Sequence, residues 1–392
     1  MTSTPLFKEF LCTSLTRAGA KKIIQLFQEL NICSYWGSFE WTFEARNNGL
    51  FPTAQALGWL GNWVPCFQSC SGLTYPDPIG VKVSHHFDGD TFTKPMIRPV
   101  RDARDSTVSN YDRLAKHLYN TPGFTPECFL DMPLVPSQGG IFQLGMIEEW
   151  LLQEYLIRNA STQVAYLYYE KLENLDTSMI EGILSFMGVS RTNHAIQSAL
   201  SGSRSDKFNE SHSTGEKISV WRNNKHPAIN ARYHLLAPHI PTGHDYPLES
   251  APAKQPIRCW NEDTFNHLLR IWIETSLEGI SKKFGGIDIS SLVDPMVQLA
   301  IHIEHLPLLQ FYFARHALRE PSLRKDGLHR LHSLALNSSP FIKLLAANTL
   351  LLYGDPSQDW KSIKQEYFQG LSPRTEDKRH FQELCKLFSL LS

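Results

Sequence analysis

Long hydrophobic runs are missing from this sequence. No stretch approaches the roughly 20 apolar residues of a membrane-crossing helix, and Lys8, Glu9, Arg17, Lys21 and Lys22 interrupt every early apolar run, so neither a span nor a signal peptide is expected. An excess of charge is missing too. Lys plus Arg number 38 against 39 Asp plus Glu, a net charge of -1 with no long basic run, which argues against a general nucleic-acid binder. Cysteine is scarce. Cys12, Cys33, Cys66, Cys70, Cys128, Cys259 and Cys385 are an odd number, and no second pair follows Cys66 and Cys70 as a metal site would need. They read as free thiols in a reducing compartment, so a cytoplasmic protein is expected. The chain also has no cluster with metal-ligand spacing, no GxxxxGK(S/T) phosphate loop and no clean internal repeat.

What is present is a chain of 392 residues, 42% hydrophobic, long enough for one large α/β domain with an appendage. Its most informative stretch is Arg98-Pro-Val-Arg-Asp-Ala-Arg-Asp-Ser-Thr-Val-Ser-Asn-Tyr-Asp. It lies where a strand meets a helix predicted to begin near Asp105. Arg101 and Ser109, eight residues apart, would then offer a guanidinium fork and a hydroxyl to one dianion beside free backbone N–H groups. The same residues also suit a solvated helix start, with Asp102 and Asp105 pairing with the arginines.

Three other segments read as strand–turn–helix units or as a polar loop. Phe7 to Ser14 is a predicted strand, Leu15 to Gly19 a turn, and Ala20 to Leu30 an amphipathic helix with Ile23, Leu26, Phe27 and Leu30 at helical spacing. A glycine turn leading into a helix start can cradle phosphate, although most such units bind nothing. Val164 to Leu172 is an apolar strand running into Tyr169-Glu-Lys-Leu, followed by a helix ending at Phe186-Met-Gly-Val, with Gly188 as its cap. Ser213 to Asn223 is a polar loop that carries Lys217 and ends in Trp221-Arg-Asn.

Taken in order, these segments resemble sulfotransferases that use 3′-phosphoadenosine-5′-phosphosulfate (PAPS). Arg101 and Ser109 match the residues that hold the 3′-phosphate in that family. Arg17, Ala18, Gly19, Ala20 and Lys21 match its 5′-phosphosulfate loop, in which Arg17 stands for the cation at the bridging oxygen. Ala18 and Ala20 depart from the hydroxyl residues usual there. Tyr169 matches a tyrosine near the adenine. Lys217 and Trp221 match a basic loop that closes over the 3′-phosphate, although the family's Arg-Lys-Gly triplet is not clear. The resemblance implies an α/β fold, a P-loop-like parallel sheet flanked by helices, with PAPS as the sulfuryl donor and no metal.

The catalytic base is expected at the end of the strand Val81-Lys-Val-Ser-His-His. Ser84-His85 matches the family's Thr-His, with the lysine displaced to Lys82. His85 is the first candidate, His86 the second, and Glu40 and Glu44 stand as carboxylate alternatives. Tyr35 to Glu44, Trp59 and Trp63 are dense in aromatics and suit either an apolar acceptor wall or ordinary core. Thr121 to Gln143, rich in Pro and Gly, reads as a loop or a lid.

After Asp288 the chain reads as helices: Pro295 to Glu304, Leu308 to Leu318, Leu328 to Ala335 and Phe341 to Tyr353. The expected organisation is a sulfotransferase domain over 1–287 and an all-α extension over 288–392. The expected activity is sulfuryl transfer from PAPS to a hydroxyl or amine of a small molecule of secondary metabolism, with no nucleic-acid or membrane partner. Two alternatives stay open: a non-catalytic scaffold on a degenerate form of this fold, and another nucleotide-dependent transferase.

Overall fold

The structure is a computed structural model that describes residues 8–36, 77, 79–85, 87, 91–119, 121–161, 163–203, 226–236, 260–303, 305–373 and 379–390. The chain groups into two compact units: Met1–Arg101 with Ala160–Ile218 and Phe284–Gly286, and Asp102–Asn159 with Ser219–Lys283 and Ile287–Ser392. Compactness therefore groups the residues differently from the segmental division 1–287 and 288–392. The helices after residue 288 share a unit with two earlier stretches.

The first unit is built on five parallel strands: β1 (Lys8–Thr13), β2 (Cys33–Trp36), β3 (Ile79–Ser84), β4 (Met96–Val100) and β5 (Val164–Tyr168), in the order β2-β3-β1-β4-β5. Helix α1 (Ala20–Glu29) follows β1, at the place its apolar spacing predicts. Alternation along the strands sorts the sheet into two faces. Phe10, Cys12, Val81, Val83, Ile97 and Leu167 lie in one apolar cluster with Ile23, Leu26 and Phe27 of α1. The opposite face is mixed, with buried Leu11, Met96 and Val100 beside polar residues. Thr13 stands opposite Ser84, and Arg98 opposite Tyr166.

The ladder between β1 and β4 is short. Only Leu11–Met96 and Cys12–Ile97 pair across it. One step on, the Thr13 carbonyl accepts from Nη1 of Arg98, which is 1% exposed, at 2.9 Å. A side-chain donor replaces a ladder bond there, and Pro99, which has no N–H to offer, follows in β4.

The second unit is helical. Helix α2 (Ala103–Leu114) begins two residues before the predicted Asp105. The reason is Asp102, whose carboxylate caps the Arg104 N–H at 2.9 Å and also holds the buried Arg104 guanidinium at 2.6 Å. The Thr121–Gln143 stretch is more ordered than a loop or lid. It contains α3 (Pro126–Leu130), capped by Thr125, and a 3₁₀ turn Pro136–Gln138. Its end is fastened to α4 (Met146–Ala160), where the fully buried Glu149 carboxylate accepts from Ile141, Phe142 and Leu144 N–H groups and from Gln153. Burial pushes the Glu149 carboxyl up to about 7, against the pull of those donors.

The first unit also contains α5 (Tyr169–Glu173), α6 (Thr177–Met187) and α7 (Asn193–Gly202), and the second contains α8 (Pro227–Leu236) and nearly all of α9 (Glu262–Phe284). Helix α6 ends in the left-handed Gly188 cap expected from sequence. On α8, Arg232 bridges Asp131 at 2.8 Å and the buried Glu148 at 3.2 Å.

Helix α10 (Ile289–Ala300) corrects the predicted start at Pro295. Asp288 caps it at Ser290 N, and Pro295 lies inside it. Helices α11 (Pro307–Ala317), α12 (Arg324–Asn337), α13 (Pro340–Tyr353) and α14 (Trp360–Leu371) each pack on the next. Proline at the first position of α11 and α13 fits because that N–H has no intrahelical partner. At Gly327 a Cβ would stand 2.9 Å from the Ala314 carbonyl, so α11 and α12 approach closely only over a glycine. Strand β2 and helices α3, α7, α8, α14 and α15 (Arg379–Phe388) were not read from the sequence. In α15 the buried Phe381, Leu384, Cys385 and Phe388 do carry the helical spacing.

Glu149→Gln keeps the shape of that side chain but turns an amide NH₂ toward backbone donors. The expected loss is about 1–3 kcal/mol for an unsatisfied buried donor, read by denaturant unfolding. A variant as stable as the parent would show that the carboxylate does not hold this segment.

Candidate functional site

The strand order places a switch point at the centre of the sheet. The chain leaves β1 toward β2 on one side and leaves β4 toward β5 on the other, while β1 and β4 are neighbours. In open parallel sheets ligands bind in the crevice outside the carboxyl ends of such a strand pair. The turn after β1 carries Arg17 and Gly19, and β4 ends one residue before Arg101.

The turn has an unusual backbone. Arg17 has φ of 70° and Gly19 has φ of 89°, both left-handed. The Arg17 carbonyl accepts from Arg101 Nη1 at 3.0 Å. A non-glycine residue held in this region stores strain that its surroundings must offset, and such residues cluster at functional sites. Gly19 is the N-cap of α1. A glycine has no side chain with which to cap the helix, and no acidic residue sits in its first turn, so its positive end is not opposed from within the helix.

Tyr169 ties the two loops together. The Arg101 guanidinium lies over its ring, 4.6 Å from the centroid. On Gly19 a Cβ would stand 2.5 Å from the Tyr169 Cδ2, so the ring packs directly against the glycine backbone. Burial raises the Tyr169 phenol well above its ordinary value, against the pull of Arg101, while a hydrogen bond with Glu173 raises it further. Glu173 also pairs with Lys22 of α1 at 2.8 Å, and Lys22 lies 5.8 Å from the Tyr169 ring centre.

His85 follows β3, beside β1. Its Nδ1 lies 3.0 Å from the Ser14 carbonyl oxygen and 3.3 Å from the Ser14 hydroxyl. A carbonyl only accepts, so in the neutral ring this contact puts the proton on Nδ1 and the lone pair on Nε2. In return the Ser14 N–H donates to the Ser84 carbonyl at 3.2 Å, lacing the ends of β1 and β3 together.

The structure thus brings Arg17, Gly19, Arg101, Tyr169 and His85 to the carboxyl ends of adjacent strands. Ala18 and Ala20 are buried, Ala20 within the apolar cluster, and neither position has a polar side chain to present. Lys21 lies in the first turn of α1. Ser109 lies on α2, in the second unit. His86, Lys217, Trp221, Glu40, Glu44, Trp59 and Trp63 fall outside the described residues.

Sequence reasoning did not single out Ser14, Lys22, Arg98 or Glu173 as part of this site. Lys22 carried a signal, since it is a cation on the first turn after a phosphate-type loop. Arg98 shows its place only once the register of β1 and β4 is known. Among the described residues no group of His, Cys, Asp and Glu could hold a metal ion, and no helix is long and apolar enough to cross a membrane.

No family model matches the chain, and no curated protein matches it in sequence. Among solved structures it is similar to a mouse sulfotransferase, SULT7A1, complexed with PAP, at a TM-score of 0.39 and 12% identity, over 60% of this chain and 84% of that chain. A superposition that loose assigns no family. What stands on the coordinates is a parallel sheet flanked by helices, with most of the described residues helical.

Gly19→Ala should destabilise the first unit. The left-handed backbone alone costs an alanine about 1–2 kcal/mol, and the ring contact adds to that. In a Tyr169→Leu background the same substitution should lose less stability. Equal losses in both backgrounds, read by denaturant unfolding, would rule out the contact.

Proposed function

We propose that the protein is a sulfotransferase that moves a sulfuryl group from PAPS to a hydroxyl or amine of a small-molecule acceptor. One observation carries this reading: the Arg101 guanidinium, held on the backbone carbonyl of Arg17, and the amino end of α1 with its glycine N-cap lie together at the switch point of a parallel sheet, where Arg17 also belongs to the turn. That donor set is cationic and rich in N–H groups, and it fits a ligand with more than one anionic group.

PAPS, when bound, supplies the sulfuryl group. Arg17 and the backbone N–H groups of Gly19, Ala20 and Lys21 hold the anionic 5′ end and stabilise charge gathering on the leaving oxygen. Arg101 takes the 3′-phosphate. His85, with Nδ1–H on the Ser14 carbonyl, accepts the acceptor's proton at Nε2. Ser109, Lys217 and Trp221 keep the nucleotide-binding roles, and His86 the second place as base, that the family resemblance assigns. Arg17, Gly19, His85, Arg101 and Tyr169 belong to the first unit.

A second reading, a nucleotide-binding scaffold without turnover, is favoured by the two buried alanines that flank Gly19, where the resembled family has hydroxyls.

Calorimetry separates these readings. 3′-Phosphoadenosine-5′-phosphate should bind more tightly than ATP, and Arg101→Ala should weaken it by about 1.5–3 kcal/mol, the worth of a hydrogen bond to a charged group. Equal affinity for both nucleotides would sink the PAPS assignment. With PAPS and a metabolite extract, His85→Ala should slow transfer by roughly 10²–10⁴-fold while nucleotide affinity stays near that of the parent. Tight binding with no transfer in the parent would decide for the scaffold.

A further inference from the structure

We infer that Tyr169 is a positioning residue that sets the spacing between the two anion-binding elements, and so makes the site selective for a nucleotide with a second phosphate on its ribose. This rests on the reading of the crevice as a nucleotide site, and it assigns the tyrosine a different task from contact with the base.

The geometry leaves the ring little freedom. One side meets the Gly19 backbone so closely that a single methyl would stand 2.5 and 2.7 Å from ring carbons. The Arg101 guanidinium covers a ring face at 4.6 Å. Tyr169 is only 7% exposed, and its far end is held by Glu173, which is itself paired with Lys22 at 2.8 Å. The ring is thus a spacer of fixed size, with the 5′-end loop against it and the 3′-end cation over it. Arg101 is held a second time by the Arg17 carbonyl at 3.0 Å.

An arginine with this many rotatable bonds loses much rotamer entropy when it is fixed by a ligand. Here the fixing is done before any ligand arrives. A ligand whose two anionic groups match the spacing gains the full charge-assisted contact, and one with a single phosphate gains only half of it. Removing the ring should therefore weaken a ribose-phosphorylated nucleotide selectively, because Arg101 loses one of its two supports while the helix end remains.

Two measurements test this. The first needs no ligand: residue-resolved phenylglyoxal labelling of arginines in the full chain. Arg101 should label slowly in the parent and about tenfold faster in Tyr169→Leu, with the slow rate restored in Tyr169→Phe, which keeps the ring. Equal labelling in the parent and Tyr169→Leu would overturn the support role, whether or not the protein binds nucleotides.

The second is the ratio of AMP to 3′-phosphoadenosine-5′-phosphate dissociation constants. Tyr169→Leu should cut this ratio about tenfold with AMP affinity little changed, and Tyr169→Phe should restore it. A parallel fall in affinity for both nucleotides would make Tyr169 an ordinary contact and overturn the inference. Should Tyr169→Leu fail to fold, Arg101→Lys takes its place in the binding measurement. It keeps the charge but not the planar face, so the ratio should fall, and an unchanged ratio overturns the inference. If neither nucleotide binds the parent, the nucleotide reading fails, and the labelling result alone decides the role of Tyr169.

Discussion

Everything in the first unit's site depends on how β1 and β4 end. They are hydrogen-bonded for two residue pairs and no further. Past that point side chains take over the carbonyls of the first strand and its turn: Arg98 reaches Thr13, and Arg101 reaches Arg17. Two carbonyls are thus satisfied by guanidiniums rather than by a neighbouring strand. The left-handed conformation of Arg17 gains its meaning from this, since the residue supplies a backbone acceptor to Arg101 as well as its own cationic side chain.

Charge at this edge is handled in pairs and stacks. Lys22 is matched by Glu173, and Arg101 lies on an aromatic face. A buried cation left without such company would be costly, and the face of Tyr169 lowers that cost without neutralising the charge. The second unit solves a similar problem differently. Arg232 sits between Asp131 and Glu148, and the Glu149 carboxylate gathers backbone N–H groups instead of a cation.

Local patterns were legible in the sequence. The spacing of Ile23, Leu26, Phe27 and Leu30 placed α1, Gly188 marked the end of α6, and the Pro-punctuated apolar stretches from Leu308 to Tyr353 placed α11 to α13. Arg17, Gly19, Arg101, Tyr169 and His85 were each visible as residues at strand ends. Their mutual arrangement was not, because it depends on strand order and register, which no local spacing encodes. Pro295 misled because proline was taken as a helix start, whereas the Asp288 cap begins that helix earlier and the proline rides inside it. Strand β2 is four residues long, too short for alternation to stand out. The order of the Thr121–Gln143 stretch was hidden for another reason: Glu149, which organises it, lies outside the stretch, on the helix that follows.

The discontinuity of the first unit has a kinetic side. Strand β4 finds its outer neighbour β5 only after the chain from 102 to 159, which belongs to the other unit, has been made. The five strands span residues 8 to 168 in sequence, so the sheet is assembled from contacts of large sequence separation, which form slowly because loop closure must precede their reward. During synthesis β4 must wait with an unpaired edge for the last strand to arrive. If the proposed nucleotide bridges the β1 turn and Arg101 in the assembled sheet alone, mass action would shift the balance away from the open-edged chain and shorten the exposure of that edge to other chains.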